Sequence, residues 1–242
     1  MAVSNTEATV ESTVDRVNSD LLDIRQIFNA ANYNIVQEFD ISSEKFAEQF
    51  SLLYEVNSDK IESLALYGNE GRLIASEPVA VEKENIDVRG QDWYKNAESA
   101  IENVHFSTPH IQELFEDGAY RYQWVVSLSS YVDVNKGEIP ETGVLLLDMK
   151  YSVIRDVMKQ INDCSGGIYY YLTSQDGEMI YHPRGTELNR GLFEENSLDA
   201  AKYEDGTYEI RSGGQNETVI VGSVAYTGWK MIGVVPESVQ AA

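Results

Sequence analysis

The chain has 242 residues, 43% of them hydrophobic, enough to core one large or two small domains, and length favours two. Its 40 acidic residues outweigh 18 basic ones for a formal charge of −22, a field that repels nucleic acid and anionic lipid headgroups and excludes a phosphate-tracking role. That field biases the surface towards cations or neutral solutes, although it serves solubility equally well, and the lone Cys164 excludes an intramolecular disulfide or a thiolate metal cluster.

The first predicted element is a long helix. Val10, Val14, Val17, Leu21, Ile24, Phe28, Ala31 and Ile35 recur at alternating steps of four and three, one narrow apolar stripe, with Glu11, Asp15, Arg16, Asp20, Asp23 and Arg25 between them. A helix of about 30 residues is roughly 45 Å long. It can run as a spine beside two stacked domains, or pair with a second copy in a homodimer, and the two readings are compatible. A second helix is predicted over 43–56, where Phe46, Ala47, Phe50, Leu53 and Tyr54 share a face behind the start signal of Asp40, Ser42 and Ser43.

An internal repeat follows. Leu64-Ala65-Leu66-Tyr67-Gly68-Asn69-Glu70-Gly71-Arg72-Leu73-Ile74-Ala75-Ser76 reads like Tyr170-Tyr171-Leu172-Thr173-Ser174-Gln175-Asp176-Gly177-Glu178-Met179-Ile180-Tyr181-His182. Each is an apolar strand, a polar turn closed by an acidic residue and glycine, and a second strand. Each copy is followed by an insert and two more strands, 122–129 and 143–148 in the first half, 218–223 and 229–236 in the second. The expected fold is α+β: a long N-terminal helix alongside two tandem antiparallel-sheet lobes. The expected boundaries are a spine helix over 1–42, a ligand-binding lobe over 43–150, a connecting helix over 151–165 and a second lobe over 166–242. Val153, Ile154, Val157, Met158 and Ile161 give the connecting helix its apolar face.

The longer and chemically richer insert, 77–119, is where a pocket is expected; the plainer one spans 183–206. Within the longer insert, Arg89-Gly90-Gln91-Asp92-Trp93-Tyr94 sets two large aromatics and a guanidinium at the entry to a short helix. Trp and Tyr give flat apolar walls with one polar handle each, suited to a small planar or zwitterionic solute. Packing of Trp93 as a core cap and a structural ion pair for Arg89 stand beside that reading. No catalytic constellation is legible. His105 and His110 are five apart, not a metal-ligand spacing, and no phosphate loop, nucleophile elbow or calcium loop occurs. No catalytic residue, metal ligand or cofactor is therefore expected. His182 reads as a surface or turn residue, Glu194 with Glu195 as solvated surface, and Tyr169, Tyr171 and Tyr181 as packing.

The succession Arg89, Asp92-Trp93-Tyr94, Phe106-Ser107-Thr108-Pro109-His110, the 125–132 strand and Gly143 to Asp148 resembles the double-Cache sensor domain. The long first helix, the paired hairpins and the closing Gly228-Trp229 strand resemble it as well, so that the likeness covers nearly the whole chain. The resemblance implies two PAS-like lobes on the extracytoplasmic face of a bacterial membrane, the distal one binding a small-molecule metabolite. Membrane segments flanking this sequence are expected, since its ends read as edges and no stretch within it approaches about 18 apolar residues. The output implied first is a sensor histidine kinase; an amino-acid-sensing chemoreceptor is the alternative, and an exported adhesion module or a secreted hydrolase are minor ones.

By the same resemblance Trp93 and Tyr94 match pocket-lining positions. His110 stands where amino-acid-binding members have a tyrosine, and Asp148 where they hold the ligand's amine. Two positions depart: Gln91 replaces the arginine that grips a ligand carboxylate, and Ile86 replaces a tyrosine. Arg89 matches a second arginine usually read as structural. Gln91 offers an amide in place of a bidentate clamp, which suits a neutral or amine-bearing metabolite, a nucleobase among them. Ser127 and Ser129 alternate on a strand that can form the pocket floor. The expected ligand-binding set is thus Arg89, Gln91, Trp93, Tyr94, His110, Ser127, Ser129 and Asp148.

Overall fold

The computed structural model describes residues 1–100, 104–116 and 123–240. The start of the strand expected from 122, and part of the long insert, lie outside the described residues. The apolar heptad forms helix α1, Ala2–Asn29, whose stripe from Val10 through Val17, Leu21, Ile24 and Phe28 is buried. The helix then widens into a π-helical segment, Ala30–Val36, at whose end the Gln37 N–H donates to the Asn32 carbonyl five residues back at 3.0 Å. Because the stripe is covered by the chain itself, the exposed apolar residues left along this stretch for a second copy are Leu22 and Tyr33. Helix α2, Glu44–Val56, starts where the sequence marks it: the Ser43 Oγ accepts the Phe46 N–H at 3.1 Å and caps the first turn.

The chain divides into two compact units, 23–151 and 1–22 together with 152–242, so the residues of α1 are shared between them. In the first unit, β1 (Ile61–Gly68) and β2 (Leu73–Glu77) make the first hairpin, and its turn glycine, Gly71, has the positive φ of 79° that the tight turn needs. Helix α3 (Asp92–Ser99), β3 (His105–Phe106), β4 (His110–Ile111), β5 (Trp124–Val134) and β6 (Glu141–Lys150) follow. The sheet is antiparallel in the order β2-β1-β6-β5-β3, with β4 also on β5. One face carries Leu64, Leu66, Leu128, Leu145 and Leu147, all fully buried, while α2 packs against β1 and the π-helical segment against β5. The other face lies beneath α3.

The second unit begins its own sheet after helix α4 (Ser152–Asp163), which buries Ile154, Val157 and Met158. Strands β7 (Tyr169–Thr173), β8 (Met179–Tyr181), β9 (Gly206–Ser212), β10 (Gln215–Ser223) and β11 (Lys230–Pro236) pair in the order β8-β7-β11-β10-β9. With β3 and β4, which both pair with β5, counted as one edge strand, this matches the strand order of the first unit, which is what the repeated hairpin foretells. The opening turns of α1 pack on this second sheet where glycine leaves room. A Cβ on Gly233 would fall 2.7 Å from Thr6 Cγ2, and one on Gly222 would fall 2.8 Å from Val10 Cγ1.

The interior of the second unit corrects two expectations. His182 is buried, with Nε2 3.0 Å from Glu195 Oε2 and Nδ1 accepting the Arg184 N–H at 2.9 Å. Tyr169 donates to the same Glu195 oxygen at 2.8 Å and stacks on Tyr171 with ring centroids 6.3 Å apart. A histidine at a strand end and a Glu-Glu pair read as surface by composition alone. Here His182 and Glu195 are drawn inward because they satisfy each other's hydrogen bonds beside the tyrosine face, while Glu194 stays exposed.

Candidate functional site

Strand alternation sets which side chains look towards α3. On β6 these are Val144, Leu146 and Asp148; on β5, Ser127, Ser129 and Tyr131; on β1, Ser63, Ala65 and Tyr67. Cross-strand register aligns Ser63, Asp148 and Ser127 in one row over three strands; the next row is Ala65, Leu146 and Ser129, and the one beyond it is Tyr67, Val144 and Tyr131. A bulge between Ile61 and Ser63 brings Ser63 opposite Asp148; unbroken alternation from Ile61 would turn Ser63 to the other face. The site is therefore polar at one end and aromatic at the other.

At the polar end, Asp148 is only 1% exposed. Ser127 Oγ donates to its Oδ1 at 2.6 Å, and Ser63 Oγ lies 3.4 Å from Oδ2. Among the described residues no lysine or arginine reaches ion-pair distance of Asp148. Burial pushes its carboxyl above the ordinary carboxylate range, opposed by the Ser127 hydrogen bond, the nearby His110 ring and the Ser63 contact. His110 on β4 places Nε2 3.1 Å from Ser127 Oγ, and its Nδ1 lies 3.1 Å from the Thr108 carbonyl and 3.3 Å from Ser107 Oγ. A carbonyl only accepts, so the Thr108 contact assigns a proton to Nδ1. The Ser127 hydroxyl therefore joins the Asp148 carboxyl to the His110 ring in one hydrogen-bonded chain.

This order of contacts differs from that of a nucleophile triad, in which the carboxylate holds the imidazole and the imidazole the serine. Here the carboxylate takes the serine proton directly, and the far ring nitrogen rests on a backbone carbonyl. Ser107 braces the arrangement: its Oγ accepts the Ser127 N–H at 2.8 Å, and its own N–H donates to the Ser127 carbonyl at 2.8 Å.

At the aromatic end, α3 delivers Trp93 and Tyr94, both buried. The Trp93 ring lies 5.3 Å from Tyr67 and 5.7 Å from Tyr94, tilted to the first and edge-on to the second. Ser129 Oγ donates to the Trp93 carbonyl at 2.9 Å and pins the helix to β5. The Tyr94 hydroxyl donates to the Gly68 carbonyl at 2.9 Å and pins it to β1.

The eight residues expected in the site thus fall into three groups. Asp148, Ser127 and His110 form one hydrogen-bonded chain. Trp93, Tyr94 and Ser129 form the helix anchor above the sheet. Arg89 and Gln91 join neither group. Arg89 is exposed, and its stem covers the hairpin turn, where a Cβ on Gly71 would sit 2.9 Å from Arg89 Cγ. Gln91 Nε2 lies 3.4 Å from the Asp87 carbonyl, within the loop that opens α3.

The sequence reading missed Ser63, Ser107, Tyr67 and Glu82. Tyr67 is fully buried with its hydroxyl unpartnered, and Glu82 Oε1 is buried and unpartnered too. Glu82 bridges to Phe115, which packs in the same cluster as Tyr67, Trp93 and Tyr94. Burial first, then the Glu82 and Asp148 charges and a side-chain interaction with Glu82, push the Tyr67 phenol far above its usual range. A separate depression of about 460 Å³ lies between Gln37 and the 133–141 hairpin, at the other end of β5 from Ser127.

A family model described as a Cache domain, dCache_1, matches residues 1–241. A probable methyl-accepting chemotaxis protein of Bacillus thuringiensis subsp. konkukian (strain 97-27) is 20% identical over 235 residues. That match covers 96% of this chain and 32% of the relative, so the chain spans about a third of the length of that protein. Among solved structures, the ligand-binding domain of the Pseudomonas aeruginosa PAO1 amino acid chemoreceptor PctC, in complex with GABA, superposes with a TM-score of 0.70 at 18% identity. It covers 93% of this chain and 96% of that one. The corresponding domain of PctB from the same organism, in complex with L-Arg, gives 0.69 at 18% identity over 97% of this chain and 88% of that one.

Proposed function

The chain belongs to the Cache family as a dCache domain, and from that membership we propose that it is the extracytoplasmic ligand-sensing domain of a transmembrane chemoreceptor, taking a small amine-bearing solute on the Asp148 face of its 23–151 unit. The observation that carries the reading is the buried Asp148 carboxylate, held by two serine hydroxyls and without a lysine or arginine among the described residues. A buried carboxylate in that setting is costly until a cation arrives. A ligand ammonium supplies the charge and up to three donors to a group with free lone pairs. Trp93 and Tyr67 wall the apolar remainder of the ligand.

The relatives favour a chemoreceptor output over the histidine kinase that the sequence reading puts first, since the curated relative is a chemotaxis protein. The amino acid and GABA complexes of the solved neighbours favour an amine over a nucleobase. Binding without turnover is supported by the Asp148–Ser127–His110 order, which leaves the serine hydroxyl tied to the carboxylate. Signalling then follows from differential affinity: a conformation in which Asp148 meets the ammonium is favoured once ligand is present.

Isothermal titration with primary amines, α-amino acids and uracil-type bases tests the proposal. Saturable binding is expected for amine-bearing ligands and is lost in Asp148→Asn. Binding of a nucleobase that survives this substitution, or the absence of saturable binding across the whole panel, would overturn it; the second result is what an adhesion module gives.

A further inference from the structure

The second unit holds a buried titratable cluster that the Asp148 face does not use. His182, the first residue after β8, has its side chain wholly out of solvent, and that of Glu195 is 10% exposed. The Arg184 N–H donates to His182 Nδ1 at 2.9 Å. A backbone N–H only donates, so Nδ1 carries a lone pair and the single proton of a neutral ring sits on Nε2, 3.0 Å from Glu195 Oε2. Both ring nitrogens are thereby committed, and one tautomer of the neutral imidazole is held.

The groups facing this ring come from four segments. From β7, Tyr169 and Tyr171 set their rings 5.5 and 5.3 Å from it, and Tyr169 donates to the same Glu195 oxygen at 2.8 Å. From the 183–206 insert come Glu195, Phe193 at 5.5 Å, and Arg184, whose guanidinium lies 3.9 Å over the Phe193 ring and bonds to Glu187. From β10, Glu217 shares the face of Val219 and Val221, and its carboxyl is raised, by burial first and the Glu195 charge second. From β11 come Ile232 and Val234, both apolar. Two carboxylates and three aromatic rings favour an imidazolium here. The Arg184 N–H opposes it, because a second ring proton must go on Nδ1, where two donors would point at each other.

We propose that His182 is a proton-operated latch: a proton taken up at Nδ1 frees the Arg184 turn and loosens the 183–206 insert from the second sheet, so that this unit responds to acid by itself, apart from the Asp148 face. The two arrangements are discrete. A neutral ring holds the Arg184 N–H, and a charged ring keeps its bond to Glu195 but leaves that N–H to water. Docking is therefore favoured with His182 neutral and is lost as pH falls through the imidazole range, about pH 8 to pH 5. Glu217 works in the opposite sense: its raised carboxyl supports docking in the ordinary carboxylate range, and that support fades as pH rises through the raised value. The insert grips the sheet through Ala200 and Tyr203, which pack with Tyr171, Ile232 and Val234. Between Ile232 and Val234 lies Gly233, where Thr6 of α1 packs from the opposite face. Insert and helix thus hold one strand between them, and release of the insert bears directly on the strand that seats α1.

The test is NMR of the whole domain with isotope-labelled histidine and backbone amides, followed from about pH 8 to about pH 5. At the upper end the His182 ring should carry its proton on Nε2 alone. As it becomes imidazolium, the Arg184 amide and the amides of the insert should lose protection from exchange by about tenfold or more, corrected for the intrinsic rate, while β7, β10 and β11 keep theirs. Glu195→Gln should move the midpoint to lower pH by about one unit. His182→Asn retains an acceptor for the Arg184 N–H and cannot titrate, so its protection should not change with pH. If thermal melting shows that this variant does not fold, His182→Gln takes its place, and the parent's ring and amide signals decide without either. A ring that gains its proton while Arg184 and the insert stay protected, a ring that stays neutral to the lower limit, or equal loosening in the non-titrating variant would each overturn the latch. Asp148→Asn should leave the transition in place; its loss there would tie the response to the ligand face and overturn the independence claimed for it.

Discussion

Replacing Asp148 by asparagine should separate stability from binding, because the two depend on opposite properties of the same side chain. In the unliganded domain the carboxylate is 1% exposed and its partners are neutral hydroxyls. An asparagine of the same shape keeps an oxygen to accept from Ser127, at the place where Oδ1 now receives it at 2.6 Å, and offers an N–H to Ser63 where the contact is now 3.4 Å. The charge disappears and the hydrogen bonds do not. Removing an unmet buried charge should therefore stabilise the empty domain by about 1–3 kcal/mol, which is roughly 2–10 °C in Tm for a chain of this size. With ligand the sign reverses. Leaving an ammonium without its carboxylate costs about 2–5 kcal/mol, or roughly 30- to 4,000-fold in affinity. At a ligand concentration near 100 Kd of the parent, the parent gains about 2.7 kcal/mol from binding, and the variant should gain less than about 1 kcal/mol. Differential scanning fluorimetry of both proteins, with and without the best amine, reads all four states. An asparagine variant that melts below the parent when empty, and shifts upward with ligand as far as the parent does, would refute the reasoning.

Three further outcomes are expected. The Asp148 carboxyl is raised above its unfolded value, so its contribution to stability is fully present below the ordinary carboxylate range and is lost as pH rises through the raised value. Over the same window amine affinity should climb, by up to about tenfold per pH unit, because the ammonium needs the ionised form; titration between pH 4 and pH 8, approximate limits chosen to bracket that window, with Asp148→Asn as the flat control, checks it. Tyr94→Phe removes the hydroxyl that donates to the Gly68 carbonyl, but that carbonyl also accepts the Gly71 N–H at 3.0 Å, so a loss of only about 0.5–1.5 kcal/mol is expected in urea unfolding. His182→Ala should cost more, about 3 kcal/mol or above, since it opens a cavity among Tyr169, Tyr171 and Phe193 and strips partners from Glu195 and the Arg184 N–H. An unchanged melting temperature for that variant would show the cluster to be slack.

The fold was legible where local pattern and long-range pairing agree. The two hairpins show because turn glycines and strand alternation sit within one short window, and Ser43 shows as a cap because its partner Phe46 is three residues on. Ser127 and Ser129 were legible as alternating positions on one strand, and Asp148 through the resemblance to the double-Cache domain. Ser63 was not, because its place opposite Asp148 depends on pairing across 85 residues and on the bulge after Ile61. Tyr67 and Glu82 were hidden for a related reason: one reads as a strand tyrosine and the other as a loop acid until the Phe115 bridge brings its loop over the sheet. His182 misled in the other direction, since its burial depends on Glu195 arriving from thirteen residues further on. The π-helical widening over Ala30–Val36 left no mark on the heptad, as its altered bonding shifts backbone partners without disturbing the order of apolar residues.

The glycine gaps beneath the start of α1 have a mechanical consequence. Thr6 and Val10 project methyl groups into hollows at Gly233 and Gly222 that no larger residue could leave open. One residue of axial travel, about 1.5 Å, would drive those methyls out of the hollows and onto neighbouring backbone. The opening turns are keyed to their sheet like teeth in a rack, so a tug along this part of the helix is transmitted to strands β10 and β11 without slip.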